Sequence, residues 1–327
     1  MCRSLLAWEP DIIHTQCEFS TFLIARRIAK SLSIPIIHTY HTVYEDYTHY
    51  FLSNKKWGRH MAASLSRWVI EQCSGVIAPT EKVRMILNSY GIEQNIHVIP
   101  TGINLDRFTK EPGAKNQLAV KKRLGIPDGN HILLYVGRLA KEKNLEELLQ
   151  YYAKQNTENL TFLIVGDGPY RGELEQMASE LGIRDSVYFA GMISPEQIGD
   201  YYHMGDIFVS ASVSETQGLT YLEALASGVP ALCRKDACLD GVIIDGYNGW
   251  QYEKEQDYME NMEFFFGNEV MQKTIRKNAA AFAQRMFSSA VFAEKAEHIY
   301  LEVLGELKVE KSSNCFGEMP CHSTLHY

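Results

Sequence analysis

Glu215 and Glu223 stand eight positions apart and bracket a polar turn that ends at Gly218. The run before them, Asp206-Ile207-Phe208-Val209-Ser210, is an apolar strand; a helix starts after Gly218, and Gly228-Val229-Pro230 stops it. Glu215 therefore lies just before the helix N-terminus and Glu223 a turn and a half inside it, so both carboxylates can face one bound molecule. The backbone N–H groups of Gln217, Gly218, Leu219 and Thr220 precede the first helical acceptor and are donors for an anionic or hydroxylated ligand. Amides take phosphate or sugar oxygens, and carboxylates take sugar or ribose hydroxyls. That combination suits a nucleotide sugar. The spacing alone also fits an ordinary strand–loop–helix with two solvated glutamates.

A second group follows another buried strand: Gly137-Arg138-Leu139-Ala140-Lys141-Glu142-Lys143-Asn144. In doubly wound sheets, ligands sit at the carboxyl ends of strands, so Arg138 and Lys143 stand where a diphosphate would lie. Cleaving a sugar–diphosphate bond builds charge on the leaving phosphate, and one preorganised donor there is worth roughly 3–4 kcal/mol. Surface cations at a helix start are the alternative, which the helix dipole disfavours. Gly166-Asp167-Gly168-Pro169 also ends a strand. A dinucleotide fingerprint would need a third glycine where Arg171 stands. Gly166 and Gly168 are expected either to let backbone approach a nucleotide closely or to form a plain turn.

His38-Thr39-Tyr40-His41-Thr42 closes a strand of the first half. Histidines three apart on a strand point to opposite faces, which argues against a two-histidine metal site. The strand end favours His41 as the one facing the ligand, with His14, ending the preceding strand, as a second candidate on the acceptor side. From Asn54 to Ile70 the chain carries Lys55, Lys56, Arg59 and Arg67 with no acid, interleaved with Trp57, Met61, Leu65, Trp68 and Val69. A basic amphipathic helix with tryptophans suits an anionic membrane surface; a helix that covers the sheet with a solvated polar face fits equally. The sequence has no Asp-x-Asp pair, so no cofactor is required, no metal-binding residue is assigned, and a Mg2+-clamped diphosphate is not indicated.

These residues depend on an alternation of short apolar runs and helical patterns that predicts α/β architecture with parallel sheets. Strands are expected at 11–14, 34–39, 75–78 and 96–100, then at 132–136, 161–165, 187–190, 207–210 and 231–233. Helices are expected at 20–31, 56–73 and 80–89, with Thr80 as N-cap, then at 144–154, 170–181, 195–204 and 219–226, and through 256–307. The stretch 102–116 reads as a linker and 308–327 as a disordered tail. At 327 residues the chain exceeds a single core. The expected division is a first Rossmann-like domain over 1–112 on the acceptor side, a donor-binding domain over 113–270, and helices over 271–307 that pack back toward the first. A net charge of −8 argues against nucleic acid as a partner. No apolar run approaches a membrane span, and the seven scattered cysteines read as reduced thiols.

The run from Ser212 to Pro230 resembles the signature of the retaining glycosyltransferases of family four, which have the GT-B fold of two doubly wound domains facing a cleft. The resemblance implies that Glu215 contacts the donor sugar, Glu223 the ribose, Arg138 and Lys143 the diphosphate, and that His41 is the active-site histidine. His38–Phe51, Thr15-Gln16-Cys17-Glu18-Phe19-Ser20 and Pro79-Thr80-Glu81-Lys82 are similar to the 1,2-diacylglycerol 3-glucosyltransferases of Gram-positive bacteria. The implied donor is UDP-glucose, the implied acceptor a lipid, and the implied location cytoplasmic, on the inner face of the cell membrane. Relatives open with a strand, a glycine-rich loop and further βα units, so the first domain is expected to be truncated and activity to be reduced. Another lipid or glycolipid acceptor, a donor-binding fragment and a nicotinamide-dependent dehydrogenase are the alternatives.

Overall fold

The computed structural model describes residues 7–45, 55–110 and 114–305, with no side-chain placement for residues 55, 114 and 115. The expected disordered tail, the end of the His38–Phe51 motif and the side chain of Lys55 lie outside the described residues. Two parallel sheets form the frame, the α/β architecture that the alternating pattern predicts. The first has four strands in the order β1-β2-β3-β4: Ile13–Thr15, Ile36–Thr39, Gly75–Ala78 and Ile96–Val98. Helices α1 (Ser20–Leu32), α2 (Lys55–Ile70) and α3 (Glu81–Ser89) connect them. Thr80 caps α3, its hydroxyl accepting from the Val83 N–H. All four residues of β2 and of β3 are buried.

After β4 the chain forms α4 (Asp106–Thr109) and α5 (Ala114–Leu124) and enters the second sheet. Its strands are β5 (His131–Val136), β6 (Leu160–Val165), β7 (Val187–Gly191), β8 (Ile207–Ser210), β9 (Ala231–Arg234) and β10 (Gly249–Tyr252). They run in the spatial order β10-β9-β8-β5-β6-β7, all parallel. Helices α6 (Leu145–Tyr152), α7 (Arg171–Glu180), α8 (Ile198–Met204) and α9 (Leu219–Ala226) are the crossovers, and α10 (Glu255–Phe266), α11 (Glu269–Phe287) and α12 (Ser289–Val303) complete the described chain. Each central strand buries both faces. Ile132, Leu134 and Val136 enter one core, and Leu133 and Tyr135 enter the other. Truncating such a leucine costs about 2–5 kcal/mol.

Two elements depart from the sequence expectation. The stretch read as a linker holds α4 and the first three residues of α5, which runs on to Leu124. The charged composition of α5 hides an apolar edge, Val120 and Leu124, that packs on the core. Strand β10 is added beside β9 because Gly249 permits close contact; a Cβ there would stand 2.1 Å from the Ala231 carbonyl oxygen. The helical stretch after position 256 is three helices, and Asn268 and Ser288 cap the second and third. Helix α11 packs on α9. In α12, Ile299 joins Ile37 and Ile77 of the first sheet in one cluster.

Candidate active site

The strand order of the second sheet reverses between β5 and β8. Successive strands run outward from β5 in one direction and from β8 in the other, which opens a crevice beyond their carboxyl ends. The loop after β5 carries Gly137, Arg138 and Lys143, and the loop after β8 carries Glu215, Gln217 and Gly218. Lys143 Nζ lies 2.5 Å from Glu215 Oε1, and the Ser212 hydroxyl donates to the same oxygen at 2.9 Å. The two side chains are mostly shielded, 17 and 22% exposed. Arg138 is exposed in the same loop. An ammonium and a carboxylate therefore meet in one strand-end crevice, with Arg138 on the same loop.

Gly218 has φ +69, and a Cβ there would strike the Tyr221 ring at 2.3 Å. It turns the chain into α9, with Leu219 exposed and Thr220 half-buried at the first turn. Glu223 accepts a 2.6 Å hydrogen bond from the Tyr202 hydroxyl. Burial pushes its pKa up, outweighing the opposing effects of that bond and of Arg107. The two glutamates thus differ: Glu215 is bound to a cation, whereas Glu223 is largely buried against a neutral phenol.

Three of the expected donor-side residues also have partners within the chain. Gly166 and Gly168 meet the chain's own backbone. A Cβ on Gly166, at φ +125, would stand 1.9 Å from the Gly137 carbonyl oxygen, and one on Gly168 2.1 Å from that of Leu139. Backbone hydrogen bonds Gly137 N to Val165 O and Leu139 N to Asp167 O lock this crossing. The glycines thus brace the loop that carries Arg138. The Gln217 side chain is buried; its oxygen accepts from Thr101 N at 2.9 Å and its nitrogen donates to Thr101 O at 3.3 Å.

In the first sheet, His41 lies just beyond β2 and is half-buried. Burial lowers its pKa and neighbouring His38 adds to this, while Glu18 opposes them. The ring is therefore neutral at neutral pH. His38 is fully buried and reaches Glu18 at 3.3 Å and Thr15 Oγ1 at 2.8 Å. The Tyr44 hydroxyl donates to the other Glu18 oxygen. Burial alone would raise Glu18, but the bonds from His38 and Tyr44 outweigh it and hold the carboxyl below the usual range. This buried Glu18–His38 pair was not singled out from the sequence, where an acid on the loop after a strand gave the only signal. His14 has both ring nitrogens engaged, by Tyr300 Oη at 2.5 Å and Thr39 Oγ1 at 2.7 Å. Its position is a tie between α12 and the first sheet.

On α2, Ala62, Ser66, Val69 and Ile70 face inward, while Trp57 and Met61 are 68 and 58% exposed. Arg59 reaches Glu45 at 3.5 Å and Ser89 Oγ at 3.3 Å, and Lys56 is likewise engaged. The two sheets meet through loops. Thr80 Oγ1, after β3, donates to Thr216 O at 2.7 Å, and Thr101, after β4, holds Gln217. The carboxyl edges of both sheets therefore face one another, with Glu215 at the junction. Among the described residues, no three His, Cys, Asp or Glu side chains are grouped to hold a metal ion, and no helix is long and apolar enough to cross a membrane.

Comparison with known proteins accounts for this arrangement. The sequence model of glycosyl transferases group 1 matches residues 116–282, and that of glycosyltransferase family 4 matches residues 1–107. An α-monoglucosyldiacylglycerol synthase of Streptococcus pneumoniae is 38% identical over 302 residues, covering 91% of this chain and 67% of that protein. One from Acholeplasma laidlawii is 31% identical over 312 residues, covering 92% and 78%. The crystal structure of Anabaena HepE with UDP and glucose superposes with a TM-score of 0.77 at 19% identity, covering 92% of this chain and 81% of that one. The dehydrogenase alternative is thereby set aside. The chain belongs to the family 4 glycosyltransferases and is a hexosyltransferase built on two parallel α/β sheets in the GT-B arrangement.

Proposed function

We propose that the protein transfers glucose from UDP-glucose to diacylglycerol with retention at the anomeric carbon. The observation that carries the donor side is the meeting of Lys143 and Glu215 at the switch point between β5 and β8, with Arg138 exposed on the Lys143 loop. Two cations there can hold the diphosphate and stabilise the charge that develops as it leaves. In this reading Glu215 touches the sugar, and Glu223, deeper on α9, the ribose. The free amides at the start of α9 complete an anion site. Solved structures of the same fold hold UDP with glucose or UDP-glucose, which supports this donor. Similarity to two α-monoglucosyldiacylglycerol synthases supports the acceptor.

In this scheme residues 1–112 form the acceptor side, with neutral His41 as the active-site histidine at the cleft. Residues 113–270 form the donor side, and the helices over 271–307 return to the first. The exposed Trp57 and Met61 with the cations of α2 supply a surface that rests on anionic lipid at the inner face of the membrane. The test is incubation of the protein with UDP-[14C]glucose and dioleoylglycerol in anionic vesicles. Labelled α-glucosyldiacylglycerol is expected. A folded protein that binds UDP yet labels no lipid would overturn the acceptor assignment. Unchanged vesicle binding after charge reversal at Lys56 and Arg59, at low and high salt, would remove the membrane surface.

A further inference from the structure

The short loop that carries Glu215 is held from two sides. Lys143 and Ser212 hold the Glu215 carboxylate from the second sheet. The first turn of α3 holds the loop backbone from the other side. Lys82 Nζ donates to Val213 O at 2.8 Å and to both Asp236 oxygens at 2.8 and 2.9 Å. Thr80 takes the Thr216 carbonyl. The carbonyls two positions before and one position after Glu215 are thus both fixed by the same helix turn. Asp236, beyond β9, also accepts from Cys238 N at 2.9 Å, so one ammonium ties together α3, the Glu215 loop and the turn after β9.

The placement of Lys82 is not what its own helix favours. A cation in a first helical turn is repelled by the helix dipole. Lys82 and Asp236 are also only 16 and 10% exposed, so both have given up much of their hydration. Such a pair adds little net stability compared with an apolar pair but specifies one arrangement. The ammonium has several N–H donors, directed here at the Asp236 carboxylate and the Val213 carbonyl.

We propose that Lys82 is a positioning residue for sugar transfer, supplied by the first domain to set Glu215 in the second. It touches neither donor nor acceptor. By anchoring Val213 and Asp236 it fixes the loop in which Glu215 stands, so the donor-sugar carboxylate is aligned only when the α3 turn is seated against it. This deepens the assignment of Glu215 to the donor sugar and rests on it. A misplacement of about 1 Å can cost on the order of 100-fold in rate, and the diphosphate cations Arg138 and Lys143 lie on a different loop.

The test compares Lys82→Gln, Lys82→Arg, Asp236→Asn and Glu215→Gln in the intact chain, with UDP-glucose and dioleoylglycerol vesicles. Lys82→Gln is expected to lower kcat about 30–100-fold, while KM for UDP-glucose and Kd for UDP change less than about threefold. Asp236→Asn should show the same split. Lys82→Arg, which can still pair with both Asp236 oxygens, should recover kcat to within about tenfold of the parent. A purely structural role would instead shift melting temperature and donor affinity together without that rescue. If Glu215→Gln abolishes transfer but Lys82→Gln and Asp236→Asn keep the parental kcat, the positioning role is overturned while Glu215 stands. If Glu215→Gln itself retains the parental kcat, both assignments fall. Should Lys82→Gln fail to fold, Asp236→Asn with unaltered kcat overturns the role alone.

Discussion

Lys143 Nζ and Glu215 Oε1 lie 2.5 Å apart although 72 positions separate them in the chain. The cation assigned to the diphosphate and the carboxylate assigned to the sugar form an ion pair. Binding a diphosphate gives Lys143 a second anionic partner and brings Glu215 close to negative charge. Glu215→Gln should therefore leave UDP affinity unchanged or raise it a few-fold, while turnover falls by about 100-fold or more. Titration calorimetry with UDP checks the first half and transfer kinetics the second. A tenfold loss of UDP affinity would contradict the arrangement.

Glu223 depends on Tyr202. The buried hydroxyl donates at 2.6 Å to a carboxylate whose pKa burial has already pushed up. Tyr202→Phe removes the donor and leaves the carboxylate oxygen short of a partner, at a cost of about 1–3 kcal/mol. Denaturant unfolding should show that loss, and UDP binding should weaken because the ribose contact is displaced. Unchanged stability would mean that water replaces the phenol.

The glycines after β6 divide sharply. Gly168→Ala forces a Cβ to 2.1 Å from the Leu139 carbonyl oxygen, while a Cβ on Gly172 meets nothing within 4 Å. Gly168→Ala should disrupt the loop that carries Arg138 and abolish UDP binding. Gly172→Ala, in the first turn of α7, should raise stability by about 0.5–1 kcal/mol. Circular-dichroism melts of the two variants check this contrast; equal melting temperatures would contradict it.

His14 gives a pH signature. Its pKa is lowered from 6.5 to about 4, first by burial and then by His38 and His41. As pH falls through 6.5 the unfolded chain takes up a proton that the folded chain accepts only near 4. Stability contributed by the neutral ring is therefore present above 6.5 and declines between about 6.5 and about 4. His14→Gln, which retains groups able to bond Thr39 and Tyr300, should flatten that part of the acid limb. Melting temperature followed across this range in both proteins would show it; parallel curves would exclude His14 as a source.

The amino-acid sequence by itself determined most of the elements and singled out the candidate site residues. Alternating apolar runs and helical patterns specify parallel strands with crossover helices, because burial on both faces leaves continuous Val/Ile/Leu segments such as Ile132–Val136. Thr80 as a cap, Gly218 as a turn and Glu215 and Glu223 astride it are local features, legible from a window of a few residues. Strand β10 and helix α5 were hidden because their order comes from packing, on Ala231 and on the core, rather than from their own periodicity. What Gly166, Gly168 and Gln217 touch was decided only by tertiary structure; their partners Gly137, Leu139 and Thr101 lie on other segments. The same holds for the buried Glu18–His38 pair and for His14, whose partner Tyr300 comes from the last described helix. Lys82 and Asp236 are 154 positions apart, and nothing in the chemistry of either residue alone names the other. Short-range sterics and hydrogen bonding fix the elements, whereas pairing of buried charges depends on how two sheets are brought edge to edge, and that geometry exists only once both have folded.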